Sequence, residues 1–211
     1  ISREDVTRIG NVLLEQEFGV TPTMFDYCVL MAVLYFKEQN CDLVIMETGL
    51  GGRLDSTNAL GNPVVSVITR IGYDHMNILG NTIEEIAQEK AGIIKTGVPV
   101  VFDANESEAA AVIADRAREL HSPCTAFEKK MYRILEFKNN FIDFSLSTAY
   151  DKETRWTIPG AADYQVENAA LAILAMRILQ QQYPSAFSGD SFEQQLHSGM
   201  KAAFWPGRMQ E

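Results

Sequence analysis

An apolar run that breaks into a glycine-rich polar turn constrains this chain more than any other stretch. Asp42-Leu43-Val44-Ile45-Met46 is followed by Glu47-Thr48-Gly49-Leu50-Gly51-Gly52-Arg53-Leu54-Asp55-Ser56-Thr57-Asn58. A short run of strand formers with a helix-like segment before it predicts a strand over 42–47, buried on both faces of a parallel sheet. Glu47 then falls at the strand's carboxyl end, the edge where open α/β sheets build their sites. The glycines let the backbone pass close to a ligand, and Arg53, Asp55, Thr57 and Asn58 crowd polar groups into the same turn. A surface loop whose glycines only make turns is the plainer alternative.

The rest of the chain alternates in a way that fits this strand. Ser2 with Asp5, and Thr23 with Asp26, resemble capping boxes that open two helices. The second runs to about Gln39 and is almost wholly apolar, which predicts burial between layers. After Pro63 a second buried run, Val64 to Ile71, ends in Gly72-Tyr73-Asp74-His75, again at a carboxyl edge. Thr82 with Glu85 opens a helix to about Lys95; Val98 to Phe102 is a third strand, 106–121 an alanine-rich helix, and Cys124 to Phe127 a short fourth strand. This alternation predicts an α/β fold with a mostly parallel sheet flanked by helices. The pattern then changes to a small antiparallel element at about 132–158: a hairpin of 132–137 and 141–146, then a strand at 155–158. Helices over about 163–182 and 191–203 follow.

Bulk properties exclude several classes. The chain has 211 residues, 46% of them hydrophobic, enough for a sizeable core. A net charge of −10 argues against non-specific nucleic-acid binding, though not against an anionic small substrate held in a locally basic or metal-bridged site. Cys28, Cys41 and Cys124 lack metal-ligand or redox spacing and read as buried thiols of a reducing compartment, the cytoplasm. The longest apolar run, Cys28 to Phe36, is too short to span a bilayer, and no signal peptide opens the chain. Beginning at Ile1 with no methionine, and carrying no repeat or linker, the sequence reads as one incomplete domain over 1–211, a piece of a longer protein.

Several residues invite chemistry. Glu47 and His75 each follow a predicted strand, and a carboxylate with an imidazole is a plausible ligand pair for a divalent cation. For His75 alone, a hydrogen-bonded loop histidine is the bland reading. Lys90 falls within the apolar stripe Ile83, Ile86, Ala87 and Ile94. A buried ammonium must be paired, chemically altered, or snorkel to the surface. Gln165 and Asn168 lie near a helix start, where Asn168 could meet a purine edge or merely its own backbone. Arg208, after Trp205-Pro206-Gly207, could reach a phosphate or sit in an exposed salt bridge.

The run 47–58 closely resembles the signature of folylpolyglutamate synthases and dihydrofolate synthases, a branch of the Mur ligase superfamily. Ile68-Thr69-Arg70-Ile71-Gly72-Tyr73-Asp74-His75, Leu79-Gly80-Asn81-Thr82-Ile83, Glu89-Lys90-Ala91-Gly92-Ile93-Ile94-Lys95 and Trp205-Pro206-Gly207-Arg208 resemble further motifs of the same family, in order. The resemblance implies a central ATPase-type domain of an ATP-dependent amide ligase that joins L-glutamate to folate or dihydropteroate through an acyl phosphate. By the same resemblance Glu47, His75 and a carbamylated Lys90 would serve a Mg2+ site and catalysis. Asn168, Gln165 and Arg208 would contact ATP, while Asp74 and Arg53 would lie near the pterin-bearing substrate.

Two departures qualify the picture. The family's phosphate loop, G-x-x-x-x-G-K-[ST], is absent, since no Gly-Lys dipeptide occurs, and the expectation is that it lies upstream together with one strand of the sheet. The family's carboxy-terminal domain is likewise expected beyond Glu211, so the isolated chain should be inactive. Tyr164 also stands where relatives often carry histidine. A cell-wall Mur-type or cyanophycin ligase would use the same chemistry on another acceptor, but Gly49-Leu50-Gly51-Gly52-Arg53-Leu54-Asp55 belongs to the folate branch. A non-catalytic nucleotide-binding or interaction domain is the alternative of another class.

Overall fold

Two side-chain caps start the chain's first helices. In the computed structural model, which describes residues 1–61, 63–138, 140–160, 162–187 and 189–203, Ser2 caps α1 (Arg3–Leu14) by accepting from the Asp5 amide. Thr23 and Asp26 close a reciprocal capping box on α2 (Met24–Glu38). The chain divides into two compact units, Ile1–Gly61 and Asn62–Glu211. In the first, α1 buries Ile9 and Leu13, one turn apart, and Arg8 reaches Glu38 of α2 through bonds of 2.9 and 2.6 Å.

Two expectations for this unit are overturned. No strand forms over 42–47; Leu43, Val44 and Ile45 are exposed, Ile45 by 88%. A strand exists only as half of a ladder, and no described segment pairs with this one. Nor is α2 buried between layers, for Val29 is its one buried residue while Met24 and Phe25 are exposed. The three cysteines are likewise exposed free thiols and not core residues, because they fall on the open side of α2, just past its end, and on an edge strand.

The second unit holds the expected sheets. β1 (Ser66–Ile68), β2 (Val100–Asp103) and β3 (Cys124–Phe127) form a parallel sheet in that order. β2 lies in the middle and is buried at all four positions, as a strand covered on both faces must be. After β1 come a one-turn helix α3 (Met76–Leu79) and α4 (Ile83–Ala91); α5 (Ser107–Glu119) connects β2 to β3. α4 stops short of the expected Lys95, because Gly92 caps it and the chain tightens into shorter turns. The antiparallel sheet is β4 (Tyr132–Lys138), β5 (Phe141–Leu146) and β6 (Thr154–Pro159), with a register irregularity between Ile134 and Glu136.

One helix joins the two sheets. α6 (Tyr164–Gln182) is buried on nearly every side, and Val166, Ala170, Leu171, Ile173 and Leu174 share a core with Val101 and Phe127 of one sheet and Ile142, Phe144 and Trp156 of the other. α7 (Gly189–Ala202) closes the far side through Phe192, Leu196 and Met200.

Polar groups inside this core are concentrated around Arg177. Its guanidinium bonds Asp151 at 2.8 Å and Glu193, and lies 5.9 Å from the centre of the Trp156 ring, which stacks on His197. Asp151 is 1% exposed, so removing Arg177's partner there strands a buried cation. Asp151→Ala is therefore expected to destabilise the protein by about 3–5 kcal/mol in urea unfolding. Arg155→Ala, which breaks the exposed pair with Asp143, is expected to leave the midpoint nearly unchanged.

Candidate functional site

In the first unit, a single carboxylate organises the glycine loop. Asp55 Oδ2 accepts the amides of Gly49 and Leu50 at 3.0 and 2.8 Å. Its Oδ1 accepts the amide and hydroxyl of Thr57 at 3.0 and 2.6 Å, capping a 3-10 turn over Ser56–Ala59. Ser56 Oγ in turn donates to Asp26, which ties the loop to the capping box of α2. Gly51 has a φ of 67°, which L side chains adopt only with strain, and Gly49 lies against Phe25 so closely that a Cβ would stand 2.5 Å from the ring. The loop is thus held from both ends, with Glu47 exposed just before it and Arg53 exposed on its rim. Asp55 was legible as a polar turn residue, but its role as the loop's anchor was not.

In the second unit, Asp74 and His75 lie beyond the carboxyl end of β1, as the sequence predicts. His75 adopts a left-handed conformation, φ 47° and ψ 38°, and its amide donates to Asp74 Oδ1 at 2.8 Å. Its carbonyl accepts from Ile78 and Leu79, so the turn starts α3 while the imidazole stays exposed, with Nε2 3.7 Å from Asp74 Oδ1. A non-glycine residue in this region stores backbone strain that the fold tolerates without burying the side chain.

Lys90 lies in the last turn of α4, beside the buried Ile86, Ala87 and Ala91. It is half-buried, less enclosed than the stripe predicted, and no described carboxylate comes within ion-pair distance of it. On α6, Asn168 is exposed, whereas Gln165 is buried with its side-chain oxygen unpaired. Arg208 and the Trp205-Pro206-Gly207 corner lie outside the described residues. Glu47 and Arg53 belong to the first unit; Asp74, His75, Lys90, Gln165 and Asn168 belong to the second. Among the described residues no group of three or more His, Cys, Asp or Glu side chains is gathered to share a metal ion.

The sequence reading overlooked a charged cluster at the carboxyl edge of the parallel sheet. Glu167, between Gln165 and Asn168 on α6, is buried and pairs with Lys129 at 2.9 Å and with Arg70 at 3.8 Å. Glu167 beside Lys129 pushes the ammonium above its usual range. Asp103, the buried last residue of β2, accepts from the Asn105 amide and side chain at 2.8 Å, and Asn105 accepts from the Lys129 amide. No local signal marks it, for Glu167 stands in the polar start Tyr164-Gln165-Val166-Glu167-Asn168 of the helix and its cations come from distant segments.

Comparison with known proteins shows the family and the fold. Residues 7–176 match the model of the Mur ligase middle domain. The dihydrofolate synthase/folylpolyglutamate synthase of Bacillus subtilis is 41% identical over 227 residues, covering 100% of this chain and 50% of that protein. Folylpolyglutamate synthase (FPGS) from Thermotoga maritima aligns with a TM-score of 0.82 at 31% identity, over 100% of this chain and 48% of that one. An FPGS–AMPPCP–folate complex gives 0.80 at 30% identity, over 99% and 49%. The chain spans about half the length of the relatives it matches.

The loop's dependence on Asp55 is measurable. Burial pushes the Asp55 carboxyl up, but the bonds from Thr57, Leu50 and Gly49 outweigh it and hold the group below the usual carboxylate range. Because the folded value is depressed, the stabilisation is fully present above the unfolded-state value, near pH 4, and is lost as pH falls through the folded one. NMR titration should therefore show the Gly49, Leu50 and Thr57 amides moving together below about pH 4. In Asp55→Asn that shared transition should vanish; its persistence would assign the anchoring to another group.

Proposed function

Because this chain belongs to the family of Mur ligase middle domains, we propose that it is the central segment of an ATP-dependent amide ligase that joins L-glutamate to folate, to dihydropteroate, or to both. The substrate carboxylate attacks the γ-phosphorus of ATP, the bond to ADP breaks, and an acyl phosphate forms. The amine of glutamate then adds to the acyl carbon, phosphate departs, and a proton is released as the amide forms. The relatives with AMPPCP, an ATP analogue, and with folate support these substrates. No described helix is long and apolar enough to cross a membrane, and the cytoplasm is the compartment where we place the reaction.

The observation that carries this reading is the exposed imidazole of His75, held in a left-handed turn at the carboxyl end of β1, where a parallel sheet presents its ligands. By their family motifs Glu47, in the first unit, and His75, in the second, would each serve as a ligand of Mg2+, which prefers oxygen donors and keeps part of its water shell. Both side chains are exposed, and Glu47 makes no hydrogen bond among the described residues, so its carboxylate suits such an ion, while the His75 imidazole, a nitrogen donor, is the poorer match. The ion would neutralise charge on the transferred phosphoryl group. Lys90, half-buried and without a carboxylate partner among the described residues, suits carbamylation: its neutral amine would add to carbon dioxide and lose a proton, turning a cation into an anion that could support the metal. Asn168, Gln165 and Arg208 would position ATP, with Asp74 and Arg53 near the pterin end of the acceptor.

In the full-length enzyme, Glu47→Ala and His75→Ala are each expected to raise the Mg2+ concentration for half-maximal ligation about 10- to 100-fold while leaving thermal unfolding unchanged. Near-normal Mg2+ dependence in both variants would sink the assignment. The isolated chain is expected to show no ATP-dependent ligation and an unmodified Lys90 by intact mass, because it has no Gly-Lys phosphate loop.

A further inference from the structure

Glu167 is a buried carboxylate that the proposed chemistry does not use. It sits in the first turns of α6, one residue before the exposed Asn168, so the two side chains leave the helix roughly 100° apart. Its own side chain is 6% exposed, while its partners Lys129 and Arg70 are 52% and 61% exposed. The cations therefore come from solvent to the carboxylate, and not the reverse. Lys129 lies two residues past β3, its backbone amide fixed by Asn105, which is itself fixed by the buried Asp103 at the end of β2. Arg70 lies two residues past β1, on the segment that leads to Asp74 and His75.

One carboxylate thus binds the start of α6 to the outgoing ends of two strands, with the third strand bound through Asp103 and Asn105. A buried acid with no other task would be costly to keep, since desolvation consumes much of what its pairs return. Its return here is the rotational setting of a helix whose next residue faces outward.

We propose that Glu167 is a positioning residue of the nucleotide site, holding Asn168 at a fixed angle and distance from the loop that carries Asp74 and His75. This rests on the reading of Asn168 as an ATP contact. Disturbing Glu167 should let the first turn of α6 rotate, weakening ATP binding with little effect on the chemical step once ATP is bound.

The test is a mutant cycle in the full-length enzyme, with KM for ATP and kcat measured in parallel. Asn168→Ala is expected to raise KM for ATP. Glu167→Gln, which keeps the shape and removes the charge, should raise it on the order of tenfold with kcat changed by less than about threefold. In the Asn168→Ala background, Glu167→Gln should add nothing further, because it acts through the side chain already removed. A multiplicative effect in the double variant, or a kcat loss as large as the KM gain, would overturn the positioning role while leaving the nucleotide assignment standing. An unchanged KM in Asn168→Ala would overturn both. Should Glu167→Gln not fold, Lys129→Met carries the same test from the exposed end of the pair. Its KM effect should also vanish in the Asn168→Ala background, and additivity there counts equally against the proposal.

Discussion

The larger unit depends on the burial of α6 between its two sheets. Small residues on the helix, Ala169, Ala170 and Ala175, alternate with Leu171, Ile173, Leu174 and Ile178, so that one cylinder fills the space between Val101 and Phe127 on one side and Phe144 and Trp156 on the other. Each fully buried aliphatic side chain of this kind contributes about 1.5–3 kcal/mol of transfer free energy. A helix so placed has few sites at which polar groups can be tolerated, and they fall where its first turns meet the strand ends, at Gln165 and Glu167, and at Arg177 in its last third. The same packing that leaves no room for an unpaired charge fixes where the helix start lies relative to the carboxyl edge of the parallel sheet.

The carboxylates of this chain divide by what they accept. Asp55 spends both oxygens on amides and a hydroxyl of its own loop, Asp26 serves a helix cap and Ser56, and Glu167 is committed to two cations. Glu47 and Asp74 remain exposed, Asp74 accepting the His75 amide and Glu47 making no hydrogen bond among the described residues. Proximity to a glycine-rich turn does not distinguish these roles. The hydrogen-bond inventory does.

Features set by neighbours in sequence were legible: the caps at Ser2, Thr23 and Thr82, the hairpin from Tyr132 to Leu146, the crossover helices, and the position of Asp74 and His75 past β1. Features set by distant partners were not. Leu43 to Met46 has the composition of a strand, but pairing is a property of two segments. α2 has the composition of a buried helix, but burial needs a layer to cover it. The Glu167–Lys129 pair joins residues far apart in the chain, and no local pattern announces it. The candidate site residues were named from the family motifs, because periodicity alone does not mark residues by chemical context.

The unpaired run at 43–46 has a consequence for how this chain behaves in concentrated solution. Three adjacent apolar side chains with strand propensity are exposed, and their ladder groups have no described partner, so the segment offers a template for a second copy to pair with. Asp42 and Glu47 bracket it with negative charge, which sets copies of the segment against one another and acts as a gatekeeper against self-association. On that account self-association of this chain is opposed partly by the carboxylate proposed for the cation. Substituting Glu47 would leave Asp42 as the single charge beside the run and weaken the guard, whether or not any ligase chemistry takes place.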